Sequence, residues 1–142
     1  SPGWQAAISM AMFPTEDHGN SWRFQWKGLP PPYTRPLCVD PRRPHADTVG
    51  SSPTAFSAAK DEGGAKAMLF QSVDGGETWR SLGDAAHSPS RAQFHAVAPD
   101  PNAVGHVLAG TDTGELWRVS PEARWTLVAQ GLPQVQSILP LA

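Results

Sequence analysis

Two octapeptides carry the most regular spacing of reactive side chains in this sequence: Thr15-Glu16-Asp17-His18-Gly19-Asn20-Ser21-Trp22 and Ser72-Val73-Asp74-Gly75-Gly76-Glu77-Thr78-Trp79. Each sets a hydroxyl, a carboxylate, a glycine and a second hydroxyl at every other position, and closes on tryptophan. A carboxylate so placed could bind a cation or move a proton. It can equally accept hydrogen bonds from backbone N–H groups two or three residues on, closing an Asx-type turn. The glycine then supplies the positive φ that a side chain resists, and the tryptophan starts the next strand with its ring buried. The second chemistry is the expected one: Asp17 and Asp74 are read as turn staples, with Thr15, Gly19, Ser21 and Trp22, and Ser72, Gly76, Thr78 and Trp79, as their partners.

Other constellations are weaker. The histidines at 18, 45, 87, 95 and 106 lack metal-ligand spacing, although His45 and Asp47 stand two apart. No metal and no cofactor is expected. Gly63-Gly64 precedes no helix that could present its N-terminus to a phosphate. The single cysteine, Cys38, sits in the apolar run Leu37-Cys38-Val39 and reads as a small buried hydrophobe. Net charge is −2 and only 17% of residues are charged, which gives no basic excess for a nucleic-acid partner. The longest apolar run, from Ala6 to Phe13, is far short of the ~20 residues that span a bilayer as a helix. Ser1-Pro2-Gly3 does not resemble a signal peptide, which favours a cytoplasmic location.

The elements that must position these residues are strands. Thirteen glycines and 15 prolines interrupt almost every helical window, and the apolar runs between them are short. The expected strands are Ile8–Phe13, Trp22–Lys27, Leu37–Asp40, Thr54–Ala58, Ala67–Ser72, Thr78–Leu82, Phe94–Ala98, His106–Gly110, Glu115–Val119, Trp125–Ala129 and Ser137–Leu141, with Gly3–Ala7 a further candidate. Three phrases recur in order: the polar turn ending in Trp, a Trp-Arg or Trp-Thr strand running to a glycine turn, and an apolar strand ending in Asp-Pro at Asp40-Pro41 and Asp100-Pro101. A unit of about 40 to 60 residues holding four short strands has the period and content of a propeller blade. The expected fold is therefore all-β: a partial blade over 1–36, blades over 37–92 and 93–135, and the inner strand of a next blade over 136–142. That amounts to about two and three-quarter blades of four antiparallel strands.

The pattern [Ser/Thr]-x-Asp-x-Gly-x-[Ser/Thr]-Trp at 15–22 and 72–79 resembles the Asp-box, or BNR repeat, of sialidases, sortilin-like receptors and xyloglucan hydrolases. A third copy has decayed around Trp125, where Ser120 and Glu122 stand in the places of Asp and Gly. The resemblance implies a propeller whose Asp-boxes are hairpin turns between outer strands, away from the usual ligand face. That face would be formed by Gly28–Pro36, Gly83–Gln93 and Gly131–Val135, joined by Ala59–Gly64 and Thr111–Gly114. Its candidate binding residues are Tyr33, Arg35, Arg91 and Asp112, an aromatic with charges, suited to a glycan or peptide. Sialidase-like catalysis would need three arginines on one carboxylate and a tyrosine nucleophile, and Tyr33 is the only tyrosine. The expected role is thus a non-catalytic binding module. The alternative is a fragment or subunit of a BNR-repeat glycoside hydrolase. Fewer than three blades fall short of the 4–8 of a closed ring, so the ring is expected to be completed in a larger propeller or by oligomerisation, with a head-to-tail dimer favoured.

Overall fold

The computed structural model describes residues 4–8, 11–15, 20, 33–42, 45–53 and 64–140. Over these the protein is all-β, and among the described residues there is no helix. Two four-stranded antiparallel sheets are built as meanders in chain order, and neither closes on itself. The first comprises β3 (Tyr33–Asp40), β4 (Ala46–Ser52), β5 (Met68–Ser72) and β6 (Arg80–Ser81). The second comprises β7 (Phe94–Pro99), β8 (Val107–Thr111), β9 (Leu116–Val119) and β10 (Trp125–Ala129). A separate pair, β1 (Trp4–Ile8) and β2 (Ala11–Thr15), lies beside β3, and β3 runs against β7.

Period-two alternation accounts for β7, where Phe94, Ala96 and Ala98 are buried and the residues between them half-buried. Of these, Phe94 joins Leu69, Leu82, Val107, Ala109 and Val119 in one core between the two sheets. A second, smaller core of Val49, Phe70 and Trp79 lies on the first sheet, with Leu37 and Met68 against it. With both of its faces occupied, the first sheet buries all seven residues of β4. Each fully buried Val, Leu or Phe side chain here contributes about 1.5–3 kcal/mol.

Polar groups join the sheets as well. The Arg42 guanidinium donates to both carboxylate oxygens of Asp40, at 2.8 Å each, and to the carbonyl of Pro101 at 3.0 Å. Asp40 is buried and also accepts the Gly105 N–H at 3.1 Å. The Gln71 amide donates to the Gly105 carbonyl at 2.9 Å and to Thr48 Oγ1 at 3.1 Å. Burial pushes the Asp40 carboxyl up, but the hydrogen bonds from Arg42 and Gly105 outweigh it and hold the group below the usual carboxylate range.

Both Asp-Pro phrases close the same kind of turn. Asp40 Oδ1 accepts the N–H of Arg42 and Asp100 Oδ1 that of Asn102, each two residues on, at the end of the first strand of its sheet.

Several strand expectations need correction. Ile8–Phe13 is not one strand; β1 and β2 pair antiparallel, Ile8 opposite Ala11, so the apolar run doubles back. β4 was not anticipated, because its buried Asp47, Thr48, Ser51 and Ser52 read as loop residues. Ladders to β3 and β5 on either side, and partners such as Gln71 and Gln93, make that burial tolerable. β3 begins at Tyr33 rather than Leu37, because its ladder with β4 extends to Ser51 and Ser52. Residues 137–140 carry no strand, since no described strand pairs with them. The expected strands Trp22–Lys27 and Thr54–Ala58 lie outside the described residues.

The chain leaving β10 instead docks on the β8–β9 turn. Leu132 N–H donates to the Gly114 carbonyl at 3.1 Å and Val135 N–H to the Thr111 carbonyl at 3.0 Å. Gly114 has φ +82, and a Cβ there would fall 1.9 Å from the Leu132 oxygen, so this crossover requires glycine.

Candidate functional site

The Asp74 turn shows how a polar octapeptide spends its side chains. Ser72 Oγ donates to Asp74 Oδ1 at 2.7 Å and accepts the Gly76 N–H at 2.9 Å. Asp74 accepts the Thr78 N–H at 2.9 Å and the Thr78 hydroxyl. The Trp79 indole N–H donates to the Gly76 carbonyl at 3.1 Å, and its ring is buried. Gly76 has φ +88, and Gly75 before it is also left-handed, which widens the turn. The backbone donor to Asp74 is therefore four residues on, not two or three as an Asx turn requires. The Thr78 hydroxyl and N–H are the main reason that the Asp74 carboxyl is held down at about 2. An acid so fully engaged is a staple rather than a proton donor. In the other octapeptide Thr15 ends β2, while Asp17, Gly19, Ser21 and Trp22 lie outside the described residues.

The turn before Trp125 repeats part of this arrangement. Ser120 Oγ accepts the N–H groups of Glu122 at 3.2 Å and Arg124 at 3.1 Å, two and four residues on. Ser72 Oγ accepts from Asp74 and Gly76 at the same offsets. Ser120 thus stands in the place of the leading hydroxyl, not of the aspartate. Ala123 takes the left-handed backbone, with φ 63.

A cleft of about 420 Å³ opens beside Trp117 and Trp125. Its wall draws on three of the loops expected to form the ligand face: His87, Ser90 and Arg91 from Gly83–Gln93, Gly64 from Ala59–Gly64, and Thr113 from Thr111–Gly114. Glu115, Trp117 and Trp125 complete it over the buried ring of Phe94. Trp125 Nε1 donates to the Leu82 carbonyl at 2.8 Å, tying β10 to the end of the first sheet. The His87 ring stacks flat on Trp125, with centroids 5.0 Å apart, and meets Trp117 edge-on at 4.8 Å. His87 Nδ1 is held 2.7 Å from Asp84 Oδ1. These contacts fix the aromatic wall in place.

The four candidate binding residues separate. Arg91 lines the cleft, with its side chain exposed. Asp112 does not; its Oδ1 accepts the Gln93 N–H at 3.1 Å and closes the start of β7. Tyr33 and Arg35 belong to β3 rather than to a loop. His95 is half-buried on β7, its Nδ1 2.9 Å from the Gln134 amide nitrogen. His45 Nε2 pairs with Asp47 at 2.8 Å, and no group of three metal-ligating side chains occurs among the described residues. Burial, with Asp40 and Asp47 adding to it, pushes the half-buried Cys38 thiol up to about 12.

Trp117 and Trp125 were not among the residues singled out as ligand-binding. On the β9–β10 hairpin Trp125 pairs with Val119 and Trp117 with Leu127, and this register puts the two indoles diagonally on one face. No protein-family model matches the sequence, and neither does any curated protein.

Proposed function

We propose that this chain is part of an Asp-box β-propeller and acts as a non-catalytic binding module, taking a glycan or peptide on its loop face. Two successive four-stranded meanders with their first strands side by side support the blade reading. So does the recurrence of the same hydroxyl and Asp-Pro turns in both. The observation that carries the binding role is the cleft itself, where three separate loops meet two indoles. Clefts with aromatic walls and a few convergent polar groups are the usual form of a binding site. Glu115 is the one carboxylate among the residues lining it, whereas glycoside hydrolysis calls for two acids facing each other.

The test is a glycan and peptide array followed by a turnover assay on every hit. Saturable binding without product release supports the module. Release of a reducing sugar, abolished by Glu115→Gln, would instead support the hydrolase reading.

Ring completion is proposed to come from a second copy, head to tail, or from further blades. Light scattering on the 142-residue chain then gives about 30 kDa, twice its 15.2 kDa. A stable monomer overturns the dimer.

A further inference from the structure

Resting on the binding role just proposed, we infer that the cleft between Trp117 and Arg91 takes an uncharged pyranose ring. Three observations carry this. First, the walls are aromatic and fixed: Trp125 is stacked by His87 on one face and anchored through its indole N–H to Leu82, while Trp117 stands edge-on to both rings. Rigid indoles offer a flat apolar surface at low ordering cost, and the C–H face of a sugar ring fits such a surface.

Second, the polar groups on the wall are of both signs. Arg91 brings a guanidinium and Glu115 a carboxylate, and the two do not form an ion pair with each other. The fork of N–H donors and the pair of acceptor oxygens are the complement of neighbouring hydroxyls, each of which both donates and accepts. Thr113 Oγ1 donates to Glu115 Oε1 at 3.3 Å and helps to orient that carboxylate.

Third, one cation and one anion sum to zero, with His87 already engaged by Asp84. A ligand carrying a carboxylate would gain Arg91 but meet Glu115, and a cationic ligand the reverse. Charge balance therefore favours a neutral, hydroxyl-rich ring over an acidic sugar or a charged peptide side chain.

The experiment titrates the whole chain with cellotetraose, xylotetraose and mannotetraose, following tryptophan emission and the indole N–H resonances. 3′-Sialyllactose and a peptide recovered from the array serve as comparison arms. At least one neutral tetrasaccharide is expected to bind saturably and to shift the Trp117 and Trp125 indole signals. Arg91→Gln and Glu115→Gln, both at solvent-reaching positions, are each expected to weaken it at least tenfold. Arg124→Gln, outside the cleft, is expected to leave it unchanged. Trp117→Phe keeps a ring and should cost a few-fold, with thermal melting confirming that the variant folds.

Binding of sialyllactose or the peptide through Trp117, with no neutral sugar bound, overturns the ligand class and leaves the binding role standing. Failure of every probe to bind overturns both. Neutral-sugar binding that ignores all three cleft variants overturns this site while sparing the module.

Discussion

The Arg42 guanidinium reaches the carbonyl of Pro101, 59 residues away, while chelating its own neighbour Asp40. One arginine thereby neutralises a buried carboxylate in the first sheet and ties it to the Asp-Pro turn of the second. Arg42→Ala would leave Asp40 with backbone donors alone. The melting temperature is expected to fall by several degrees, and Asp40→Asn in the Arg42→Ala background should restore part of it, because the uncompensated charge is then gone. Calorimetry on Arg42→Ala and on the double variant checks this; a double variant that melts no higher than Arg42→Ala would contradict it.

Asp74 makes a prediction in pH. Its folded carboxyl is depressed to about 2, against an ordinary value of 3.8. A depressed acid contributes stability that is fully present above the ordinary value and is lost as pH falls towards 2. Asp74→Ala should therefore lower the melting temperature at pH 7 and converge on the parent at pH 2. The turn is exposed, so solvent screening discounts the effect; about 1 kcal/mol, or roughly 2–4 °C, is expected at pH 7. Affinity per folded molecule should be unchanged, because Asp74 does not line the cleft.

Two glycines separate backbone strain from collision. Gly131, with φ +70, has nothing within 4 Å of a built Cβ, whereas the same atom at Gly114 strikes the Leu132 carbonyl. Gly131→Ala is expected to cost about 1–2 kcal/mol from the left-handed backbone alone. Gly114→Ala should cost clearly more and should loosen residues 131–135, read as faster amide exchange at Leu132 and Val135. Equal melting points for the two variants would refute the docking role of Gly114.

Cys38 offers a reporter of unfolding. With its thiol raised to about 12 by burial, and by Asp40 and Asp47 beside it, the nucleophilic thiolate is scarce at pH 8. Iodoacetamide should modify the native chain slowly and the urea-unfolded chain at the rate of a free cysteine. As the protein's only cysteine, it gives one mass shift to follow.

Much of the second sheet is legible in the sequence because short apolar runs stand between turn residues: the expected Trp125–Ala129 has the observed bounds of β10, and the expected Phe94–Ala98 is one residue shorter than β7. The first sheet was harder. A strand buried on both faces need not alternate, and β4 carries Thr48 and Ser52, whose partners Gln71 and Gln93 lie 23 and 41 residues further along the chain. At the candidate site, the loops that line the cleft could be read from turn chemistry. The aromatic wall could not, because periodicity marks Trp117 and Trp125 as strand residues without saying which face a loop will leave open. The split of Arg91 from Asp112 depends on one hydrogen bond to Gln93 that no spacing announces.

The serine turns carry one more implication. Ser120 makes both of its backbone acceptances without an aspartate or a glycine among the four residues that follow it. The two turns therefore share the hydroxyl's pair of backbone acceptances, with Glu122 and Arg124 standing where the first has Asp74 and Gly76. A search for worn copies of such repeats would do better to anchor on a serine or threonine followed, five to seven residues later, by tryptophan.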